Sequence, residues 1–100
     1  MAILVHEIWI DPDEQGQTNQ QCLRAGPDGD AARSLMGDKR QLLTTFEAGS
    51  YLEAMTIYFE YFGRGPYTAK YEWDAKPYPE EDAERQRAAG VSFKEKPRKR

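Results

Sequence analysis

Apolar residues crowd the start of the chain and then thin into a patchwork. Residues 2–10, "AILVHEIWI", mix β-branched and aromatic side chains with no breaker, which predicts a strand. Period-two alternation sends Ile3, Val5 and Trp9 to one face and Leu4, Ile8 and Ile10 to the other. With apolar residues on both faces, this strand is expected at the centre of a sheet, covered on both sides. "DPDEQGQTNQ" at residues 11–20 reads as a polar loop, and a short strand follows around Gln21 to Ala25 before "GPDG" makes a turn. "DGDAARSLMG" has the form of a short helix, with Asp28 or Asp30 as N-cap and Gly37 closing it. "RQLLTTFEA", residues 40–48, is the third expected strand.

The clearest start and stop signals come next. Ser50 and Glu53 form an S-x-x-E capping box, and Gly63 stands where a helix would end. On a helix of about 100° per residue, Glu53, Thr56 and Glu60 share one narrow stripe. Ile57, Tyr61, Ala54, Tyr58, Tyr51, Phe62, Met55, Phe59 and Leu52 fill the rest, an arc of roughly 220°. A helix lying on a sheet needs an apolar stripe of only a little over about 100°. Three covers fit the excess: the segment that follows, a second copy of the chain, or a different partner. Leu52, Met55, Phe59 and Phe62 are the expected sheet-facing side.

After "GRGP" the period changes. Tyr67, Ala69, Tyr71 and Trp73 alternate with Thr68, Lys70, Glu72 and Asp74, which predicts a fourth strand with one greasy face. "KPYP" stops it. "EEDAERQRAAG" has its acids first and its arginines late, as the helix dipole favours. It has no apolar stripe, so a loosely attached helix is expected. The predicted architecture is a small α+β domain in the order β-β-α-β-α-β, with a mostly antiparallel sheet and one main helix packed on a face. It occupies residues 1–93, with residues 80–93 loosely attached and a disordered basic tail at 94–100.

Composition narrows the function classes. One hundred residues suffice for a single modest core. No apolar run approaches the roughly 20 residues of a membrane-spanning helix. Cys22 is the lone cysteine, which excludes an internal disulfide and a cysteine-based zinc cage and fits a reducing, cytoplasmic setting. The formal charge of −3 divides unevenly: residues 94–100 hold five Lys/Arg and one Glu, leaving nine bases against sixteen acids elsewhere. An acidic body with a short basic tail is poorly suited to coating nucleic acid.

Candidate chemistry is sparse. His6 and Cys22 would form a nucleophile pair only if their strands were neighbours, and nothing flanking Cys22 forms a nucleophile context. Asp11, Asp13, Gln15, Gly16, Gln17 and Asn19 match the spacing of a calcium loop, but Cys22 replaces the bidentate Glu at the twelfth position. "AGPDGDAARS" has the outline of a phosphate loop, yet Asp28 and Asp30 would repel the anion and are expected to be caps. "KPRKR" reads as a solvated end. No metal site, cofactor or catalytic residue is implied. The frame "EIWIDP", "GPDGDAAR", "FEAGSYLEAMTIYFEYFGRGPYT" and "PYPEE", spanning about residues 7–81, resembles a group of short bacterial proteins of uncharacterised function. That resemblance implies a bacterial cytoplasmic protein and no activity.

What remains is the aromatic stretch. Exposed Tyr and Trp beside an Arg are typical of protein-binding hot spots. The sequence therefore points to a non-catalytic interaction domain binding itself, as a homodimer, or another protein through Tyr58, Tyr61, Arg64, Tyr67, Tyr71 and Trp73. The alternative is a small-ligand protein or weak enzyme with a pocket lined by Tyr58, Tyr67, Tyr71 and Trp73 and charged by Arg64 or Glu60. Concavity separates the two, since a ligand site needs its rings around a cleft.

Overall fold

Three strands make one antiparallel sheet in the computed structural model, which describes residues 2–91. Strand β1 (Leu4–Pro12) lies between β2 (Thr18–Arg24) and β3 (Gln41–Ala48), in the order β2-β1-β3. Its central position follows from its two apolar faces. Leu4 and Ile8 are fully enclosed on one face and Val5 is buried on the other, where Glu7 and Trp9 are only half-covered. The hairpin from β1 to β2 is tighter than the polar run 11–20 predicts. Gly16 supplies a positive φ of 86°, and Asp13 Oδ1 accepts the backbone N–H groups of Gln15 and Gln17, each at 2.9 Å. Residues 18–20 are thereby strand, hidden from pattern reading because all three are exposed. Between β1 and β3 the register shifts at Ile8/Trp9, so that β3 carries a bulge.

After β2 come a 3-10 turn at Pro27–Gly29 and the short helix α1 (Asp30–Ser34). The expected aspartate caps are absent. Gly29 is the N-cap of α1, with no side-chain hydrogen bond, because a Cβ there would stand 2.1 Å from the Arg24 carbonyl oxygen. Asp28 and Asp30 instead pair with arginines: Asp28 with Arg24 and Arg85, Asp30 with Arg33. Gly37 lies beyond the helix, and its N–H donates to Asp11.

Helix α2 (Tyr51–Tyr61) begins and ends as its sequence dictates. Ser50 Oγ accepts the Glu53 N–H at 3.1 Å, and Glu53 Oε1 returns to the Gly49 N–H at 2.6 Å. At the other end Gly63, with φ 66°, lets its own N–H reach the Glu60 carbonyl and lets the Arg64 N–H reach that of Phe59. The sheet-facing side differs from the expected one. Ala54 and Tyr58 are the buried residues, whereas Leu52, Met55, Phe59 and Phe62 are half-covered. A small residue at 54 lets the helix approach the sheet. Of the flanking apolar residues, Phe59 is covered from the side by Tyr67 of the returning chain.

That returning chain is the segment expected as a fourth strand, and it is not one. From Gly63 it runs back along α2 as coil, forms a 3-10 turn at Glu72–Ala75, and pairs its backbone with the rest of the chain through isolated bridges of Pro77 with Ser50 and Tyr78 with Ala2. Alternation alone does not make a strand; it needs a partner edge. Tyr67 packs on Phe59 and Tyr51 of the helix instead. Part of the surplus apolar arc is therefore covered by the chain's own return.

In place of the loose attachment expected for residues 80–93, the structure shows a polar anchor over helix α3 (Glu80–Ala88), and residues 92–93 lie outside the described residues. Asp82, Ala83 and Gln86 are buried. Val5 and Ala25, facing each other across the end of the hairpin, exchange a single backbone bond, Ala25 N–H to the Val5 carbonyl at 3.0 Å. The Gln86 amide fills the place of the second. Its Oε1 accepts the Val5 N–H at 2.9 Å, and its Nε2 donates to the carbonyls of Ala25 at 3.0 Å and Val5 at 2.9 Å. Outside the helix, Arg24 and Arg85 bridge to Asp28 and Asp82. The basic tail 94–100 lies outside the described residues.

Replacing Gln86 by Ala strands a buried N–H of β1 and a carbonyl, and should cost about 2–4 kcal/mol in urea unfolding. Gln86→Glu, which keeps one acceptor but loses both donors, should destabilise at neutral pH and recover part of the loss in acid. A Gln86→Ala midpoint matching wild type would show that the amide is dispensable.

Candidate binding cleft

The return segment and α2 enclose an open cleft of about 750 Å³. One wall is a ladder of edge-to-face rings, Tyr51 on Tyr67 at 6.4 Å and Tyr67 on Phe59 at 5.0 Å between centroids. The lip is Tyr71 and Trp73, stacked face to face at 4.5 Å and 5°. They sit two residues apart at the entry to the 3-10 turn, so both rings project to the same side. Neither is enclosed: Tyr71 is 53% and Trp73 63% exposed. Lys70 and Lys76 flank the lip, Arg24 enters from β2, and Asp74 lies buried in the wall.

The floor is set by Tyr78, which holds the return segment to the sheet. Its N–H donates to the Gly49 carbonyl at 2.9 Å, and the Arg24 guanidinium lies 4.7 Å over its ring. Its hydroxyl is 3.0 Å from His6 Nε2. His6 Nδ1 lies 3.1 Å from the Leu4 carbonyl, which can only accept, so Nδ1 carries the ring proton and Nε2 accepts from the tyrosine. The imidazole also stacks on Phe46 at 5.1 Å. Burial, the largest influence on it, pushes the His6 pKa down to about 4. The same cause pushes the Tyr78 hydroxyl up to about 12. Both groups are neutral near pH 7.

The structure separates the six residues singled out from sequence. Tyr67, Tyr71 and Trp73 come together in the cleft. Tyr58 is buried under α2, a correction to its expected place on the surface, because its side of the helix is the one turned to the sheet. Tyr61 is 49% exposed on the helix, its ring against Phe62. Arg64 folds back over the rings of Phe59 at 4.7 Å and Tyr58 at 5.7 Å. Neither Arg64 nor Glu60 lines the cleft. Sequence reasoning missed Arg24, Lys70 and Lys76. The two lysines were readable as cations interleaved with aromatics in "KYEWDAK"; Arg24 reaches the site only through folding.

Other motifs resolve into structure. Cys22 stands opposite Ile8 on the face that holds His6, but both imidazole nitrogens are engaged elsewhere, and burial pushes the thiol up to about 12. It holds no thiolate at neutral pH. Asp13 of the acidic loop spends an oxygen on two backbone amides. Among the described residues no three His, Cys, Asp or Glu side chains cluster to hold a metal ion, and no helix is long and apolar enough to cross a membrane. Comparison of the chain with protein-family models, curated proteins and solved structures finds no match.

His6 makes stability pH-dependent in a defined direction. The unfolded chain takes up the imidazole proton as pH falls through 6.5, the ordinary value, whereas the folded chain resists until about 4. Stability contributed by the neutral ring is complete above 6.5 and is lost as pH falls through that window, by about 3 kcal/mol in all. Urea midpoints of wild type and His6→Gln should draw together as pH falls from neutral to about pH 4.5, with the variant's profile the flatter. Parallel profiles would assign the acid sensitivity to other groups.

Proposed function

We propose that this chain is a non-catalytic interaction domain that grips an extended segment of a partner protein across the Tyr67–Trp73 cleft. The observation carrying this reading is the stacked Tyr71–Trp73 pair, held in a fixed relative orientation with both rings more than half exposed. Large rigid aromatic surface left in water has no folding benefit, and such rings are typical anchors of protein interfaces. The pair also sits on a tethered segment, fixed at α2 through Tyr67 and at the sheet through Tyr78, so little ordering remains to oppose binding. We place the domain in a reducing, cytoplasmic compartment, in keeping with the lone cysteine.

A second reading is favoured by concavity. Rings and cations converge on one cleft of a size that suits a small ligand, and an anionic aromatic compound would fit its chemistry. Small-ligand sites, however, bury most of the ligand. Here the two best-placed rings form an open lip, which suits a peptide better. A thermal-shift screen with planar anions separates the readings: a ligand-dependent rise that vanishes in Trp73→Ala would favour this one.

A random linear-peptide library displayed on phage and panned on the purified chain should enrich binders. Tyr71→Ala with Trp73→Ala should weaken their binding by roughly thirty-fold or more, as loss of an anchor does. Because both side chains are exposed, the melting temperature should hardly move. Equal retention by wild type and the double variant would defeat the proposal. Retention lost together with the fold would be checked with Trp73→Tyr, which preserves the ring surface.

A further inference from the structure

More cations than carboxylates line the cleft, unlike the body around it. Before residue 94 the chain carries nine Lys/Arg against sixteen Asp/Glu, yet the cleft gathers Arg24, Lys70 and Lys76 around one carboxylate, Asp74. Arg24 is already committed, with Asp28 at 3.2 Å and Asp82 at 3.0 Å. Among the described residues Lys70 and Lys76 form no ion pair, with Asp74 or with any other acid. Both lysines are exposed, and they bracket the stacked rings in sequence, one just before Tyr71 and one three residues after Trp73. Two unpartnered cations on either side of an aromatic lip, in a protein with an acid surplus, form a local charge pattern that selects its complement.

We propose that the partner segment is acidic: an extended peptide whose apolar or aromatic residue lies on Tyr71 and Trp73 while carboxylates on either side of it meet Lys70 and Lys76. This rests on the peptide-docking reading above and adds the chemistry of the occupant. The surrounding acids sharpen the choice. A generally acidic protein is repelled by the body, so only a segment that presents its carboxylates at the cleft gains attraction. Lysines at an exposed rim act chiefly on encounter and selection, so the preference should weaken as salt screens it.

The phage panning supplies the test. Peptides enriched on wild type should carry Asp or Glu on both sides of an apolar or aromatic residue, and Lys70→Gln with Lys76→Gln should weaken them by about ten-fold at low salt and by less at high salt. Lys70→Glu with Lys76→Glu should turn the selection toward Lys and Arg. Enriched peptides that are neutral or basic, or that bind the glutamine variant unchanged, overturn the acidic-partner inference and leave aromatic docking standing. Enrichment that survives Tyr71→Ala with Trp73→Ala removes the docking reading itself, and this inference with it. Each lysine is exposed and makes no ion pair among the described residues, so circular dichroism of the variants should match wild type.

Discussion

The fold depends on how one backbone pair is completed. Val5 and Ala25 make half of a ladder step, and the Gln86 amide inserts into the other half. A side chain from α3 thus does the work of a strand at the point where the hairpin opens. This is an economical solution for a short chain with few large buried apolar side chains. Among the described residues only Leu4 and Ile8 are fully enclosed large side chains, and no buried side-chain polar atom lacks a partner, so the core gains its specificity from satisfied polar groups, among them Gln86, His6 and Tyr78. Polar groups in that position penalise every arrangement that leaves them unpaired, and so select one packing over looser alternatives.

The same anchoring reaches the cleft. Gln86 fixes α3 to the central strand, Ala83 closes over Ala2 and Leu4, and Tyr78 joins that cluster from just before the helix. Tyr78 then ties the return segment to β1 through His6, to the end of β3 through Gly49, and to β2 through Arg24. Between this tether and the Gly63 turn the chain has no regular structure for most of its length, yet both ends are held. The stacked Tyr71–Trp73 pair sits on the span between. Its rings are exposed because the segment is used as a strap across the helix rather than as a strand, which would have turned one face of the alternation inward.

The sequence was most informative where the deciding interactions are local. The capping box at Ser50 and Glu53 and the glycine at 63 specify α2 within a few residues of themselves, and the twin apolar faces of residues 2–10 specify a central strand. It was least informative where partners are distant. The alternation of residues 67–73 is the same whether a sheet edge receives it or not, and only the path after Gly63 decides. The roughly 220° apolar arc of α2 contains Tyr58 and Phe59 equally, so the pattern could not say which faces the sheet. Helix α3 was undervalued because a helix held by an amide and by ion pairs has no apolar stripe to read. The cleft shows the same division: Tyr67, Tyr71 and Trp73 were visible as neighbours in sequence, whereas Arg24 and Tyr78 join them only through the tertiary fold.

The acid surplus and the cationic cleft belong to one arrangement. The acids that most stabilise the body are not free: Asp28 and Asp82 hold Arg24 and Arg85, Glu7 holds Arg33, and the Asp28 carboxyl is kept below its ordinary range chiefly by its hydrogen bond from Arg85. These pairs commit Arg24, Arg33 and Arg85 to structural work. Lysine, a strongly hydrated and flexible cation, is left for the rim of the cleft, where it can meet carboxylates from outside without a fixed internal partner to give up. The division of labour is physically sensible. Forked guanidinium groups lock the fold where geometry is rigid, and ammonium groups stand beside the aromatic lip, where the proposed partner would meet them. Under the proposed docking, such a surface would discriminate by charge sign and ring contact.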